Sequence, residues 1–286
     1  PFDLAISISN NEPFILRPKL KRRFSFEKVR ELRDAGGSPF QSISALKILG
    51  SQIWVVDEGA ASLVRLGENL TVVSRKKIPG LRAVGGTGSD PLVSGSEGFH
   101  TLDGEAVPSM KGFSTSFSDF DQYEGRLVFL NEDRTKIFVA TKDGVGPKEI
   151  GAELFATPSH NFKPFRLSQM ILKGDSLYFA DKANGGVGCL PLAGSNRAAF
   201  FKRGSGPPTG LASLGDFFIT LIEGESQAEI WDENLNPLET VRLGEISGRT
   251  GLAASSGDRL YLVMDQNRIA VFRKKITGSA GSTSSD

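Results

Sequence analysis

The sequence predicts an all-β protein built from six similar units. One phrase recurs along the chain: a small or polar pair, an alternating run of β-branched and aromatic residues, then an acidic or amide residue. The copies are spaced by 35 to 50 residues when one apolar residue marks each, namely Ile53, Leu92, Leu127, Leu177, Phe218 and Leu260. Each interval is long enough for one four-stranded propeller blade. The repeat predicts a six-bladed β-propeller of four-stranded antiparallel blades, with seven blades as the alternative.

The residues around each copy supply the other strands of a blade. Runs of small residues suit innermost strands, where blades converge on an axis, and they lie at 44–49, 209–213 and 251–254. Third strands are expected at 62–66, 136–141, 228–232 and 268–273, and fourth strands at 71–78, 198–202 and 238–243. All these runs are short, rich in β-branched, aromatic or small residues, and bounded by Gly, Asn or Asp, which is typical of strands.

The N-terminal segment is expected to close the ring. The last copy ends near Lys275, and the Gly/Ser/Thr-rich residues 277–286 read as a flexible tail that cannot supply a fourth strand. A strand from 2–8, 14–20 or 20–29 would complete the last blade and remove an open edge. Residues 25–35 also fit a helix, although Phe24 and Phe26 alternate with polar residues as in a strand. Residues 1–276 are then one domain.

Composition excludes several classes of protein. The chain of 286 residues is 39% apolar and 23% charged, which is ordinary for a globular protein. Its 34 basic and 33 acidic residues give a net charge of +1, so nucleic acid is not an expected partner. The single cysteine, Cys189, excludes an intrachain disulfide and reads as a small buried strand residue. No apolar run reaches 18 residues, so no transmembrane segment is expected.

Compartment and assembly are less constrained by the sequence. A cleaved signal peptide would leave no trace, so a secreted or periplasmic location is compatible with the chain and the compartment stays open. We expect a monomer. Four aromatic residues at or near the residues that mark the copies are expected to pack between blades, namely Phe129, Phe179, Phe218 and Tyr261.

Connectors and strand ends give the chain a family resemblance. A Gly-rich connector at 36–43 leads to the run Ile53-Trp54-Val55-Val56-Asp57, and similar connectors lie at 204–211 and, in part, at 144–148. A second strand end of this kind spans 176–184. The pattern resembles NHL-type six-bladed propellers over about five of the six copies. The resemblance implies a scaffold that hosts ligand binders, protein and RNA scaffolds, and calcium-dependent lactonases.

Acidic residues end the second strand of the blades, and the loops that follow should open on one face. This expected ligand-binding face comprises Asp57, Glu58, Glu97, Asn131, Glu132, Asp181, Asn184, Glu223 and Asp265, with His160 from the longest interval. Converging oxygens of Asp57, Asp181 and Asp265 could hold calcium, although no cofactor is required. The alternative is that Asp and Asn cap tight turns by accepting backbone N–H bonds.

Basic residues form three clusters that ring closure would bring onto neighbouring blades. They are Lys19 with Lys21, Arg22 and Arg23 near the N-terminus, Arg75 with Lys76 and Lys77, and Arg273 with Lys274 and Lys275. Such a basic surface could bind phosphates or an anionic surface. The alternative is that Lys and Arg protect exposed outer strands from edge pairing.

The expected function is that of a non-enzymatic binding module that presents loops on one face to a protein or a small ligand. Rigid blades would fix the loops, and the loops would set the partner. A calcium-dependent hydrolase of the lactonase or esterase type is the first alternative, with no catalytic residue identified. A binder of RNA or an anionic surface through the basic outer strands is the second.

Overall fold

The structure is a computed structural model that describes residues 7–9, 12–14, 23–86, 90–95, 98–105, 117–123, 126–141, 148–156, 161–192, 198–244 and 249–277. Before the repeats lie a hairpin, a long strand and a second short hairpin: β1 (Ser7–Ser9), β2 (Glu12–Phe14), β3 (Arg23–Leu32), β4 (Asp34–Ala35) and β5 (Ser38–Pro39). The remaining strands form six antiparallel blades in chain order, as the repeat predicted.

The first three blades occupy the first half of the chain. Blade 1 comprises β6 (Ile43–Leu49), β7 (Gln52–Asp57), β8 (Ser62–Leu66) and β9 (Val72–Lys77). Blade 2 comprises β10 (Ala83–Gly86), β11 (Pro91–Gly95) and β12 (Gly98–Thr101), and the following residues 106–116 lie outside the described part. Blade 3 comprises β13 (Phe117–Tyr123), β14 (Arg126–Asn131), β15 (Ile137–Thr141) and β16 (Lys148–Ile150).

The last three blades follow a short 3₁₀ helix at Ala152–Phe155. Blade 4 comprises β17 (Leu167–Lys173), β18 (Ser176–Asp181), β19 (Gly186–Pro191) and β20 (Phe200–Arg203). Blade 5 comprises β21 (Pro208–Leu214), β22 (Phe217–Ile222), β23 (Gln227–Trp231) and β24 (Pro237–Arg242). Blade 6 comprises β25 (Thr250–Ser256), β26 (Arg259–Met264), β27 (Arg268–Thr277) and the N-terminal strand β3.

The N-terminal strand β3 closes the ring. It pairs with β27 in antiparallel register from Ile269 opposite Leu32 to Thr277 opposite Arg23. Phe24 and Phe26 are buried while Ser25 and Glu27 are exposed. The helical reading of 25–35 was therefore wrong, because the alternating phenylalanines stabilise a strand whose apolar face packs on blades 5 and 6. Of the three expected closing segments, 20–29 overlaps the observed strand.

The core lies between neighbouring blades. Phe129, Phe179 and Phe218 are fully buried and Tyr261 is 1% exposed, as predicted from their positions at or near the residues that mark the copies. Cys189 is also fully buried, on β19. Each side chain of this kind removes a large apolar area from water, which fixes the blades against one another. Within the described ranges, no helix has the length and apolar character needed to cross a membrane.

The inner strand of five blades carries an irregularity close to its first residue. The pairing register shifts between Ile43 and Ala45 in blade 1, and similar shifts occur in blades 3, 4, 5 and 6. The residues skipped by the register in four blades share a small hydroxyl side chain and are Ser44, Ser118, Ser168 and Thr209. These β-bulges bend the strand entrances and re-aim their side chains at one end of the central channel.

Candidate functional site: a central cavity above a polar plug

The central channel opens at this end into a cavity of about 980 Å³, called here the central cavity. Its wall combines the starts of inner strands with the turns that follow second strands. The lining includes the bulge residues Ser44, Ser168 and Thr209 of blades 1, 4 and 5. It also includes charged side chains from five blades, namely Glu58, Arg134, Lys182, Glu223, Arg249 and Asp265. The volume lies within the range of small-ligand sites.

The bulge hydroxyl groups keep the cavity wall small and polar. Ser168 Oγ and Thr209 Oγ1 each donate to a carbonyl of the neighbouring strand at 3.4 Å, and Ser44 Oγ donates to Arg82 O at 3.2 Å. Their donors are therefore satisfied within the protein, while the short side chains leave the space on the axis open.

Three of the predicted acidic residues meet at this cavity, and each has a cationic partner. Glu58 pairs with Arg82, Glu223 with Lys182, and Asp265 with Arg268. The backbone N–H of Arg249, which donates to Asp265 Oδ1 at 2.8 Å, and the Arg268 guanidinium hold the pKa of Asp265 below its usual value. The expected acidic funnel is thus a rim of ion pairs.

Asp57 and Asp181, the last residues of β7 and β18, are fully buried and do not belong to the described cavity lining. Asp57 Oδ1 accepts the backbone N–H of Ser42 at 2.9 Å, and Asp181 Oδ1 accepts those of Arg166 and Ala183 at 3.0 Å. The bonds to Ser42 and Arg166 tie the strand end to the connector that enters the same blade, which suits the turn-capping alternative.

The amide residues of the predicted face bond within their own surroundings. Asn184 donates to Asp181 and accepts the Lys163 N–H at 2.9 Å. Asn131 Oδ1 accepts the backbone N–H groups of Thr135 and Lys136. Both side chains therefore shape turns.

Glu132 is exposed and shares Arg82 with Glu58. Glu97 and His160 lie outside the described residues.

A buried polar network closes the channel below the cavity; it is called here the axial plug and comprises Lys47, Asp119, Asp121 and Gln169. Lys47 Nζ lies 3.0 Å from Asp119 Oδ1 and 3.6 Å from Asp121 Oδ2, and it donates to Met170 O at 3.2 Å. A space of about 10 Å³, roughly the size of one water molecule, remains between Lys47, Asp119, Gln169 and the cavity residues Ser44 and Arg134. The central cavity is therefore a blind pocket.

The plug joins five blades through side chains of the inner strands. Lys47 of blade 1 reaches the Asp119 carboxylate of blade 3 past the inner strand of blade 2, which ends in two glycines. A Cβ at Gly85 would lie 2.5 Å from Phe120 O, so this strand packs by its backbone. Gln169 of blade 4 accepts backbone N–H groups of blades 5 and 6, from Leu211 at 3.1 Å and Ala253 at 2.9 Å.

Burial and charge act against each other in the plug. Burial by itself lowers the pKa of Lys47, but the Asp119 and Asp121 carboxylates outweigh it and hold that pKa above its ordinary value. Burial raises the pKa of Asp121, and the Lys47 charge offsets only part of this effect. Lys47 is therefore a charged cross-link between blades 1 and 3.

The predicted calcium site stays a prediction. Among the residues that the structure describes, no group of three or more His, Cys, Asp or Glu side chains could hold a metal ion. Asp57, Asp181 and Asp265 lie in blades 1, 4 and 6, and each accepts hydrogen bonds from its own blade.

The described basic residues lie on the outermost strand of blade 1 and on the third and outermost strands of blade 6. Arg273, Lys274 and Lys275 are on β27, Arg23 on β3, and Arg75, Lys76 and Lys77 on β9. Several of these charges have local partners: Lys275 pairs with Glu27 at 2.6 Å, Arg273 with Asp258 at 3.5 Å, and Arg75 with Asp57 at 3.7 Å. The expected adjacency of the clusters is observed for these residues, whereas Lys19, Lys21 and Arg22 lie outside the described part.

Neither the basic residues that line the cavity nor any residue of the axial plug was identified from the sequence. Arg134, Lys182 and Arg249 gave no motif, since they come from three separate turns. A signal for the plug was present in Lys47, a charged residue inside an apolar inner strand, and in the two aspartates of β13. Charge in strands that converge on an axis indicates a polar axial network.

Comparison with solved structures supports the propeller fold. Virginiamycin B lyase from Staphylococcus aureus, solved as a catalytically inactive histidine-to-alanine variant with quinupristin, has a TM-score of 0.60 and 12% identity. The match covers 88% of this chain and 99% of that chain.

Two further propellers give similar matches. The β-propeller domain of Cps50 (Swd1) from Myceliophteria thermophila matches with a TM-score of 0.58 and 8% identity, covering 87% of this chain and 99% of that chain. The WD40 propeller domain of Doa1 gives 0.54 and 10%, covering 87% of this chain and 97% of that chain. No protein-family model matches the chain, and no curated protein matches it in sequence. At such identities the likeness shows the fold alone.

Proposed function

We propose that this protein is a non-enzymatic binding module whose ligand occupies the central cavity. The observation that carries the proposal is a blind cavity of about 980 Å³ on the propeller axis. Turns from five blades supply its charged wall, and the axial plug supplies its floor. A rigid ring holds these groups in place before a ligand arrives, which reduces the entropic cost of binding.

Strained backbone at the rim supports the same location. Six non-glycine residues of the described part have positive φ, and three of them line the cavity: Arg134 at 56°, Asp265 at 48° and Gln266 at 64°. Such conformations cost free energy and concentrate at sites where function fixes the geometry.

The enzyme alternatives receive less support from the cavity. Its described lining contains no histidine, since His100 lies on β12 and His160 is outside the described residues. The likeness to virginiamycin B lyase and the NHL-type resemblance both concern the scaffold. A calcium-dependent hydrolase stays a hypothesis that depends on a metal site. The hypothesis that the basic strands bind an anionic surface has less support, because Arg273 and Lys275 already form local ion pairs.

A fragment screen followed by ¹H–¹⁵N spectra tests the proposed location. Acidic, basic and neutral fragments at millimolar concentration should shift the amides of Ser44, Ser168 and Gly251 together. Ser42→Trp should abolish these shifts by filling the cavity, while Ser74→Trp on the exposed strand β9 should preserve them. Ligands that shift only outer-strand amides, or no shift across the whole library, would overturn the proposal.

A further inference from the structure

Two cationic side chains of the central cavity differ from its other charges. Within the described residues, no carboxylate oxygen lies within 4 Å of the guanidinium nitrogens of Arg134 or Arg249, whereas Lys182, Arg82 and Arg268 all have acidic partners. The three acidic residues of the wall are already paired. Arg134 therefore has no carboxylate partner in the part of the chain that the structure describes, and Arg249 shares Asp265, on which its charge acts at longer range, with Arg268. Both cations can still bind an anionic ligand.

Arg134 is held in a fixed position without being neutralised. It is half-buried on the turn after β14, and its guanidinium donates to two backbone carbonyls, Ser168 O and, at 3.3 Å, Ser118 O. Carbonyl acceptors satisfy two of its five donors but leave its full charge uncompensated. A half-buried cation with spare donors is a recognition group for a carboxylate or phosphate.

Arg249 faces the cavity from the other side of the ring. Arg134 belongs to blade 3 and Arg249 precedes β25 of blade 6, and the inner strands of successive blades adjoin around the axis. Blades 3 and 6 are opposite each other in a ring of six. The two arginines therefore lie on opposing walls of one cavity.

From these observations we propose that the central cavity binds a small organic dianion, with one acidic group on Arg134 and the other on Arg249. This inference rests on the proposed binding function and names its ligand class. The acidic groups are carboxylates or phosphates, both of which match the planar donor pattern of arginine. The carbon chain between them would lie across the axis, above the plug.

A homologous series of dicarboxylates from succinate to pimelate tests this assignment in the full-length protein. Dissociation constants come from the amide shifts of Ser168 and Gly251. One chain length should bind at least tenfold more tightly than the monocarboxylate of equal length and than its neutral diamide. A parallel titration with 3-phosphonopropionate distinguishes phosphate from carboxylate recognition.

Variants of the two arginines connect the affinity to the proposed contacts. Arg134→Gln and Arg249→Gln should each raise the dissociation constant of the best dicarboxylate at least fivefold. Arg242→Gln, on the exposed outer strand β24, is the matched control and should change nothing. Because Arg249 is exposed, its variant is expected to fold even if loss of the Arg134 contacts lowers the melting temperature.

Failure of this inference is distinguishable from failure of the binding function. Equal affinity for mono- and dicarboxylates, or an unchanged constant in Arg249→Gln, would overturn the dianion. A neutral diamide that binds the cavity equally well would also overturn it while leaving the binding module intact. Absence of cavity shifts with every probe, charged or neutral, would overturn both.

Discussion

The central cavity and the axial plug are built from the same inner strands, yet one is open and the other closed. At the strand entrances, bulges place small hydroxyl residues such as Ser44 and Ser168 toward the axis. One residue beyond the bulge in blades 3 and 4, and three residues beyond it in blade 1, the long or charged side chains of Asp119, Gln169 and Lys47 fill the channel. Side-chain size and the position of the bulge therefore decide whether a level of the channel holds a ligand or stabilises the ring.

The two levels also treat charge differently. Rim pairs are partly exposed, as in Lys182 and Glu223, so solvent and salt weaken them. The Lys47–Asp119 pair has both side chains at 7% exposure or less, and losing one partner leaves a buried charge uncompensated. The plug should therefore carry stability, and the rim should carry binding.

The largest effect is expected from Lys47→Met. The change removes the cation from the buried Asp119 carboxylate and the half-buried Asp121 carboxylate, and should lower the free energy of unfolding by about 3–5 kcal/mol. Lys136→Met is the matched control, because Lys136 pairs with Glu149 at 2.9 Å on the surface and should cost less than about 1 kcal/mol. Urea denaturation measures both. Equal losses in the two variants would show that the plug is no more stabilising than a surface pair.

A smaller loss is expected where a buried turn carboxylate is removed. Asp181→Ala deletes the acceptor of two backbone N–H groups and of Asn184, and should cost about 2–3 kcal/mol. Glu223→Ala, at the rim of the same channel, should cost no more than about 1 kcal/mol. Thermal melts compare them, and a larger loss in Glu223→Ala would reverse our assignment of structural and functional roles.

Acid should lower the free energy of unfolding by protonating Glu31 on the closing strand β3. A hydrogen bond from Lys28 lowers the pKa of Glu31 on β3 to about 2. Burial opposes this shift, and hydrogen bonds from Arg33 and Arg268 add to it. Arg268 also pairs with Asp265 at the cavity rim. Since the folded pKa lies below the ordinary value of 4.5, this contribution is complete above pH 4.5 and is lost as the pH falls toward 2. We expect about 1–2 kcal/mol after allowance for solvent screening.

Glu31→Gln provides the measurement for this pH effect. The difference in unfolding free energy between wild type and variant should be largest at pH 6 and shrink steadily as the pH is lowered to 3. A difference that stays constant over this interval would exclude the ion pairs as its cause.

The smallest effect is expected from calcium. The carboxylates of Asp57 and Asp181 are buried and already accept backbone N–H groups, so a metal would have to displace those bonds. Melts of metal-stripped protein with and without millimolar calcium should agree within about 1 °C. A rise of several degrees specific to calcium would correspond to a site near saturation. Such a rise would favour the hypothesis of a calcium-dependent hydrolase.

The sequence by itself determined the fold. Alternating apolar residues, Gly-bounded turns and the repeated strand end specified six blades, because these local patterns decide which face of each strand is buried. The burial of Phe129, Phe179 and Cys189 followed from the same patterns. Closure by an N-terminal strand followed from the missing fourth strand of the last copy, with three candidate segments. The acidic strand ends were located, but their individual roles were not.

Only the tertiary structure decided which charges meet. Glu58, Glu223 and Asp265 line the cavity while Asp57 and Asp181 cap buried turns, although all five end or follow a second strand. Arg134 and Arg249 are 115 positions apart in the chain and face one cavity because blades 3 and 6 are opposed in the ring. Ring closure brings together residues whose spacing in sequence carries no local signal, so the site could not be read from the chain alone.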